Sequence, residues 1–235
     1  MDASDVIVDI LYKDKKQNTY KIALIRAIND IANEFCDLSD TEEVIVPLRK
    51  IAEYWLAYYW VFVDVDKPIW QAVHKSINKP DMIFRVALTE FRQAWEYQEG
   101  KNHLWQGYVV KQEIYKKSDK LLQQYHDTLV VIQKGVKQPI VYAGTSQQKY
   151  FDEPRKRSDF YQIVAIPNIN PDDMCFVVPS WLWKICLDKS EWVEAMCVDA
   201  WCLFIQDKAH HLNQQPFSYV DIYPLVSLRP HKLLG

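Results

Sequence analysis

The chain has 235 residues, enough for one large domain or two small ones, and 5 glycines, well below the usual share of about 7%. That scarcity argues against Gly-rich phosphate loops and against a multi-turn β-sandwich. No run approaches the roughly 18 apolar residues of a membrane span, and the acidic start, Met1-Asp2-Ala3-Ser4-Asp5, lacks the basic region of a signal peptide. A cytoplasmic protein with no membrane partner is therefore expected. Five cysteines without a C-x-x-C pair read as reduced, buried small hydrophobes. The net charge of −3 is uneven. Residues 1–100 carry 12 basic and 17 acidic side chains, residues 101–157 carry 11 and 5, and residues 158–235 carry 5 and 9. The middle is a basic island in an acidic chain, the compositional hint of a polyanionic partner.

Residues 6–12 are too short a run to separate strand from helix. Leu24, Ile25, Ile28, Ile31, Ala32 and Phe35 then recur at helical spacing, so a helix with one buried face is expected over about 18–36, capped by Asn18 or Thr19. An acidic loop follows. Pro47 suits a helix first turn, and Leu48, Ile51, Ala52, Trp55, Tyr58, Tyr59 and Phe62 extend a second helix behind it. Ile83 to Tyr97 reads as a third, with Asp81 placed to cap it and Gly100 to close it. Residues 108–133 read as one basic helix stopped by Gly135, and Pro139 to Gly144 as a strand. Thr145 to Ser158 reads as a polar loop. Asp159–Pro167 and Met174–Pro179 are β-like runs around a turn, expected to pair as a hairpin. Ser180 and Ser190 open two more helices, the second with Glu191 and Glu194 near its positive end, and Tyr219 to Leu225 reads as a last short one. The fold class is thus α+β, mainly α-helical. Residues 1–100 form a helical subdomain, and residues 101–235 form the basic helix, the hairpin and the C-terminal helices, the two together making one compact unit.

Candidate chemistry concentrates in the island. Lys111, Lys116, Lys117 and Lys120 lie around Tyr115, and Lys116 and Lys120, four apart, share a face of a continuous helix. Contact with phosphates is one use, because each neutralised phosphate releases counterions. A solvated helix face offset by Glu113 and Asp119 is the other reading. Arg155-Lys156-Arg157 is placed in a loop that could grip a nucleic-acid backbone. Lys21, Arg26 and Arg49 are weaker candidates, with Asp30, Glu34 and Glu53 at pairing distance along the helices for the arginines. His210-His211 point about 100° apart on a helix, a poor start for one metal. Glu191/Glu194, Asp172/Asp173 and Asp64/Asp66 are carboxylate pairs, but no lysine sits at PD-(D/E)xK spacing after Pro171-Asp172. GxxxxGK[ST], GxGxxG, HExxH and GxSxG are all absent. The Trp-rich helices read as core or partner interface rather than as a stacking platform.

Three blocks resemble the N-terminal region of bacterial HNH endonuclease-domain proteins. They are Thr19-Tyr20-Lys21-Ile22-Ala23-Leu24-Ile25-Arg26-Ala27; Val46-Pro47-Leu48-Arg49-Lys50-Ile51-Ala52-Glu53-Tyr54-Trp55 with Tyr58-Tyr59-Trp60; and Val178-Pro179-Ser180-Trp181-Leu182-Trp183 with Trp192-Val193 and Trp201. In similar proteins a ββα nuclease module follows. An HNH centre needs a His base and a metal held by a further His or Asn. The nearest imitation here, His210-His211-Leu212-Asn213 with His231, lacks the required later Asn.

The resemblance and the basic island together imply a DNA-binding region of an HNH nuclease or bacterial defence (restriction) system, non-catalytic by itself and without a cofactor. A divalent metal would enter only with a nuclease module. DNA, a nuclease domain or subunit, and a second copy of the chain are the implied partners. Two alternatives remain open at this point. One is an interaction or oligomerisation scaffold for a separate nuclease. The other is a metal-dependent nuclease of unrecognised type.

Overall fold

The computed structural model describes residues 3–14, 16–38, 42–71, 80–101, 106–143, 149–211 and 219–227. The fold is α+β and mainly helical, with one small four-stranded sheet. The chain forms two compact units. One gathers Met1–Ile51 with Val136–Ala200, the other Ala52–Gly135 with Trp201–Gly235.

In the first unit, α1 (Ala3–Val8) runs into a wide π turn (Asp9–Lys13), so the undecided start is helical. The helix α2 (Tyr20–Glu34) follows, and the Asn18 carboxamide oxygen accepts from the Tyr20 N–H at 3.1 Å. The expectation of one buried face is too narrow. Every residue from Ile22 to Ala32 is buried, including Arg26, Asn29 and Asp30. Asn29 and its helical neighbour Asn33 donate to the Ser190 carbonyl and hydroxyl oxygens at 3.3 and 2.6 Å.

Val44–Pro47, expected to lead into a helix, is a strand, β1. It is buried throughout, as suits β-branched residues at the centre of a sheet. The sheet order is β2 (Arg155–Lys156), β4 (Met174–Val178), β1, β3 (Val164–Ala165). The expected hairpin is not formed, because β1 lies between the two β-like runs. It pairs antiparallel with β4 (Ile45 opposite Val177) and parallel with β3 (Ile45 opposite Ala165). Ile45 of β1 packs with Cys175 and Val177, alternate residues of β4, and with Phe160 from the segment after β2. Helices α7 (Ser180–Asp188) and α8 (Ser190–His211) follow as expected. Tyr12 donates to the Asp199 carboxylate at 2.8 Å, tying the π turn to α8.

The second unit is built on aromatic residues. The helix α3 (Leu48–Tyr59) enters it and passes into a 3-10 turn (Trp60–Val63). Trp55, Tyr59, Phe62, Phe84 and Trp201 are all essentially sealed from solvent. The rings meet edge-on or tilted at 5–6 Å, the geometry that ring quadrupoles favour. Trp55, Trp60, Trp95, Trp183 and Trp201 are therefore core, while Trp181 and Trp192 are half-buried. The helix α4 (Arg85–Glu99) ends at Gly100, whose φ of 86° only glycine adopts readily. Asp81 does not cap α4. It accepts from the Gln71 N–H and from Arg85.

The expected basic helix is two helices. The first, α5 (Gln106–Glu113), closes in a 3-10 turn (Ile114–Lys116), the chain turns extended at Lys117, and α6 (Asp119–Tyr142) follows. Gly135 does not stop α6, and Pro139–Tyr142 is helix rather than strand. The apolar stripe of Leu121, Tyr125, Ile132, Val136 and Ile140 carries on past both residues, and burial along that stripe outweighs the cost of the proline. Gly135 serves close packing instead: a Cβ there would stand 3.1 Å from the Phe84 ring. The last helix described, α9 (Tyr219–Ser227), is slightly longer than expected.

Gly107 is a sharper case. A Cβ on it would lie 2.8 Å from the Ala57 Cα and carbonyl oxygen and from the Trp60 Cβ. Gly107→Ala is therefore expected to destabilise by about 2 kcal/mol, since overpacking against backbone outweighs the roughly 1 kcal/mol gain in helix propensity. Urea unfolding followed by tryptophan fluorescence checks this. A variant at least as stable as the parent would refute the close approach of α5 to α3.

Candidate nucleic-acid interface

The lysines near the α5–α6 junction do not form the shared helical face that their spacing suggested. The break at Lys117–Ser118 removes the relation between Lys116 and Lys120. Lys111 lies over the Tyr54 ring, 3.7 Å from its centroid. Lys116 pairs with Glu113 at 2.9 Å, and Lys117 with Glu99 at 2.8 Å, above the Trp95 ring. Lys120 is exposed, and so is Tyr115, whose ring also meets Tyr125 edge-on. Most of this charge is already occupied at home.

The second basic group is better assembled. Arg155-Lys156-Arg157 is not a loop. It forms edge strand β2 and the start of a 3-10 turn (Arg157–Asp159). Its register against β4 places Arg155 opposite Cys175 and Lys156 opposite Met174. The guanidinium of Arg155 covers the Phe160 ring at 4.7 Å, and the Arg157 guanidinium donates to the Phe160 carbonyl at 2.8 Å. Lys156 pairs with Asp172 at 2.8 Å. That bond, on exposed groups, raises the Lys156 ammonium and lowers the Asp172 carboxyl relative to their ordinary values.

Arg49 joins this group from α3, a hundred residues earlier in the chain. Its guanidinium lies 3.9 Å from the Asp173 carboxylate. Asp173 in turn accepts the Arg157 N–H on its carbonyl and the Asn170 N–H on its carboxylate. The fold that brings them together is the β1–β4 pairing: Pro47, two residues before Arg49, stands opposite Cys175, two residues after Asp173. The Cys175 thiol reports the same arrangement. Burial pushes it up to about 12, Asp173 adds to the rise, and Arg157 and Arg49 pull the other way. Arg155, Lys156 and Arg157 on the β2 edge and its turn, and Arg49 at the start of α3, thus gather beside Asp172 and Asp173. The Lys156–Asp172 pair is exposed, and pairs of that kind are worth about 0–1 kcal/mol, so a phosphate can exchange for the Asp172 carboxylate at little cost.

The remaining candidates separate clearly. Arg26 is buried. Lys21 pairs with Asp14 and lines a cleft in the first unit. The His210-His211 side chains and His231 lie outside the described residues. Among the described residues, no three His, Cys, Asp or Glu side chains converge as a metal site. Asp64 is held by the Asp66 and Lys67 N–H groups, Arg92 and Lys101. Burial pushes its carboxyl up, but these partners outweigh burial and hold it below the usual range. Cys186 is sealed, and burial, with Cys197 and Asp30 adding to it, drives its thiol far from ionisation. Cys36, expected to be buried, is exposed. No helix among the described residues is long and apolar enough to cross a membrane.

The sequence model of one family matches residues 1–225, nearly the whole chain. The chain belongs to the family described as a domain of unknown function, DUF8808. No match was found among curated proteins, and none among solved structures. The DUF8808 match covers residues of both compact units. Sequence reasoning selected Arg155, Lys156 and Arg157 by composition and Arg49 by position, but did not join them. The signal that could have done so is the short apolar run Val44-Ile45-Val46, which reads as a central strand once it is separated from the helix behind it.

Proposed function

We propose that this chain is a non-catalytic nucleic-acid-binding region whose contact surface is the basic sheet edge of Arg49, Arg155, Lys156 and Arg157. The observation that carries this reading is the convergence of Arg49 on the Arg155–Arg157 run across Asp173. Guanidinium groups suit phosphate because their fork donates two parallel hydrogen bonds. Strand β2 fixes the spacing of its two cations, and the exposed Asp172 and Lys156 can part without exposing any core. Association with an HNH-type nuclease or restriction system is supported by the three-block resemblance alone.

The test is duplex-DNA affinity as a function of salt. Log affinity is expected to fall linearly with log salt, and Arg155→Gln/Lys156→Gln to flatten that slope by about 2, near one unit per lost phosphate contact. Lys116→Gln/Lys120→Gln is expected to leave it unchanged. A parent chain without salt-dependent binding overturns the reading. A salt-indifferent dimer in its place would favour the interaction scaffold.

A further inference from the structure

The first unit contains a cleft that the sheet edge does not use. It has a volume of about 280 Å³ and lies between the start of α2 and the last turn of α6. Ligand sites run from about 300 to 1,000 Å³, so this one has room for a single small molecule. Lys16, Asn18, Tyr20 and Lys21 line one side, and Pro139 and Tyr142 the other.

We propose that this cleft binds a nucleotide phosphate, with Lys16 and Lys21 as the phosphate partners and Tyr142 as the wall for the ring. Two ammonium groups stand here around one carboxylate. Asp14 pairs with Lys21 through its side chain and accepts from Lys16 only through its backbone carbonyl, at 2.9 Å. An ammonium has three donors, and this bond uses one of the three on Lys16. The Lys16 charge is poorly compensated: burial holds its ammonium below the usual lysine range, Lys21 adds to that, and Asp14 only partly offsets it. A phosphate placed between the two lysines removes the repulsion and satisfies the donors. The positive end of α2, a 15-residue helix, lies at the same point and favours the same sign of ligand. The opposite wall is chemically different. Tyr142 is 72% exposed and stands three residues from the Pro139 ring on α6, giving an apolar surface against which a flat base can lie. One anion-seeking wall and one ring-seeking wall in a single cleft match a phosphate ester of a nucleoside better than a bare anion.

The inference does not depend on the sheet-edge reading, since the two sites share no residue. The ligand could be a free mononucleotide or the phosphorylated end of a strand. Calorimetric titration of the full chain separates these sources from each other and from failure. The probes are a nucleoside monophosphate, the same nucleoside without phosphate, inorganic phosphate, and single-stranded oligonucleotides with a 5′-phosphate or a 5′-hydroxyl. The expected result is that the monophosphate or the 5′-phosphorylated strand binds at least tenfold more tightly than its unphosphorylated form. Lys16→Met is expected to weaken that binding about tenfold, the scale of a lost charge-assisted hydrogen bond, and Lys16→Arg to restore it. Tyr142→Ala is expected to weaken the monophosphate several-fold while leaving inorganic phosphate unaffected. Unchanged thermal melting of the three variants would confirm that they fold. Binding that ignores the phosphate, binding indifferent to Lys16→Met, inorganic phosphate binding as tightly as the ester, or no binding by any probe would each overturn the proposal. Loss of sheet-edge DNA binding in Arg155→Gln/Lys156→Gln, with the cleft titration intact, would show the two sites to be separate.

Discussion

Arg85→Met is expected to lower the stability of the protein by about 4 kcal/mol, the cost of leaving a buried charge without its partner. The Arg85 guanidinium meets both oxygens of Asp81, whose side chain is fully buried. It also donates to the Phe62 and Ile69 carbonyls at 2.8 and 2.7 Å and stacks on Trp70 at 4.3 Å. One side chain therefore holds both ends of the 62–71 segment to the start of α4. Methionine would keep much of the volume but leave the buried Asp81 carboxylate without its counter-charge and the Ile69 carbonyl without its Arg85 donor. Because the penalty belongs to the orphaned partner, the double variant Arg85→Met/Asp81→Leu is expected to recover a large part of it, a non-additivity that neighbours in one network show. Denaturant unfolding of the parent, both single variants and the double variant gives the cycle. Additive single effects would contradict the pairing.

Trp201→Ala is the second large effect, expected at about 4 kcal/mol. The ring is fully buried and meets Tyr58 edge-on at 6.0 Å, Tyr59 at 5.4 Å and Phe62 at 5.8 Å. Alanine removes the hydrophobic transfer energy of the indole and leaves a cavity that three rigid rings cannot close. Trp201→Phe keeps a ring in place and is expected to cost less than half as much. Measured by urea unfolding, a loss under about 1 kcal/mol for the alanine variant would mean that this aromatic cluster does not hold the second unit together.

The helices were legible where one apolar period ran long enough to define a face, as in α2, α3, α4 and α8. Reading failed where a local signal competed with burial. Gly135 and Pro139 are helix-breaking residues, yet the stripe of Ile132, Val136 and Ile140 continues the helix through them. Lys117-Ser118 carries no such signal, yet the helix breaks there. The sheet was half legible: β3 and β4 lie in the two runs read as β-like, whereas β1, β2 and the pairing were missed for a different reason. Its strands run from two to five residues, too short for a period, and its central strand comes from a run that reads equally well as a helix entrance. The candidate interface inherits that difficulty. Arg155 to Arg157 were visible as a charge cluster, but Arg49 becomes their neighbour only through the pairing of β1 with β4. The cleft was half visible: Lys21 lies in a resembling block, whereas Lys16 acquires its character only from burial.

The most direct measurement for the central claim is the salt dependence of duplex-DNA affinity for the parent chain beside Arg155→Gln/Lys156→Gln, by fluorescence anisotropy. A sheet edge that grips phosphates gives a steep parent slope that the double substitution flattens by about 2. Equal slopes in the two proteins, or no binding at low salt by the parent, would contradict it.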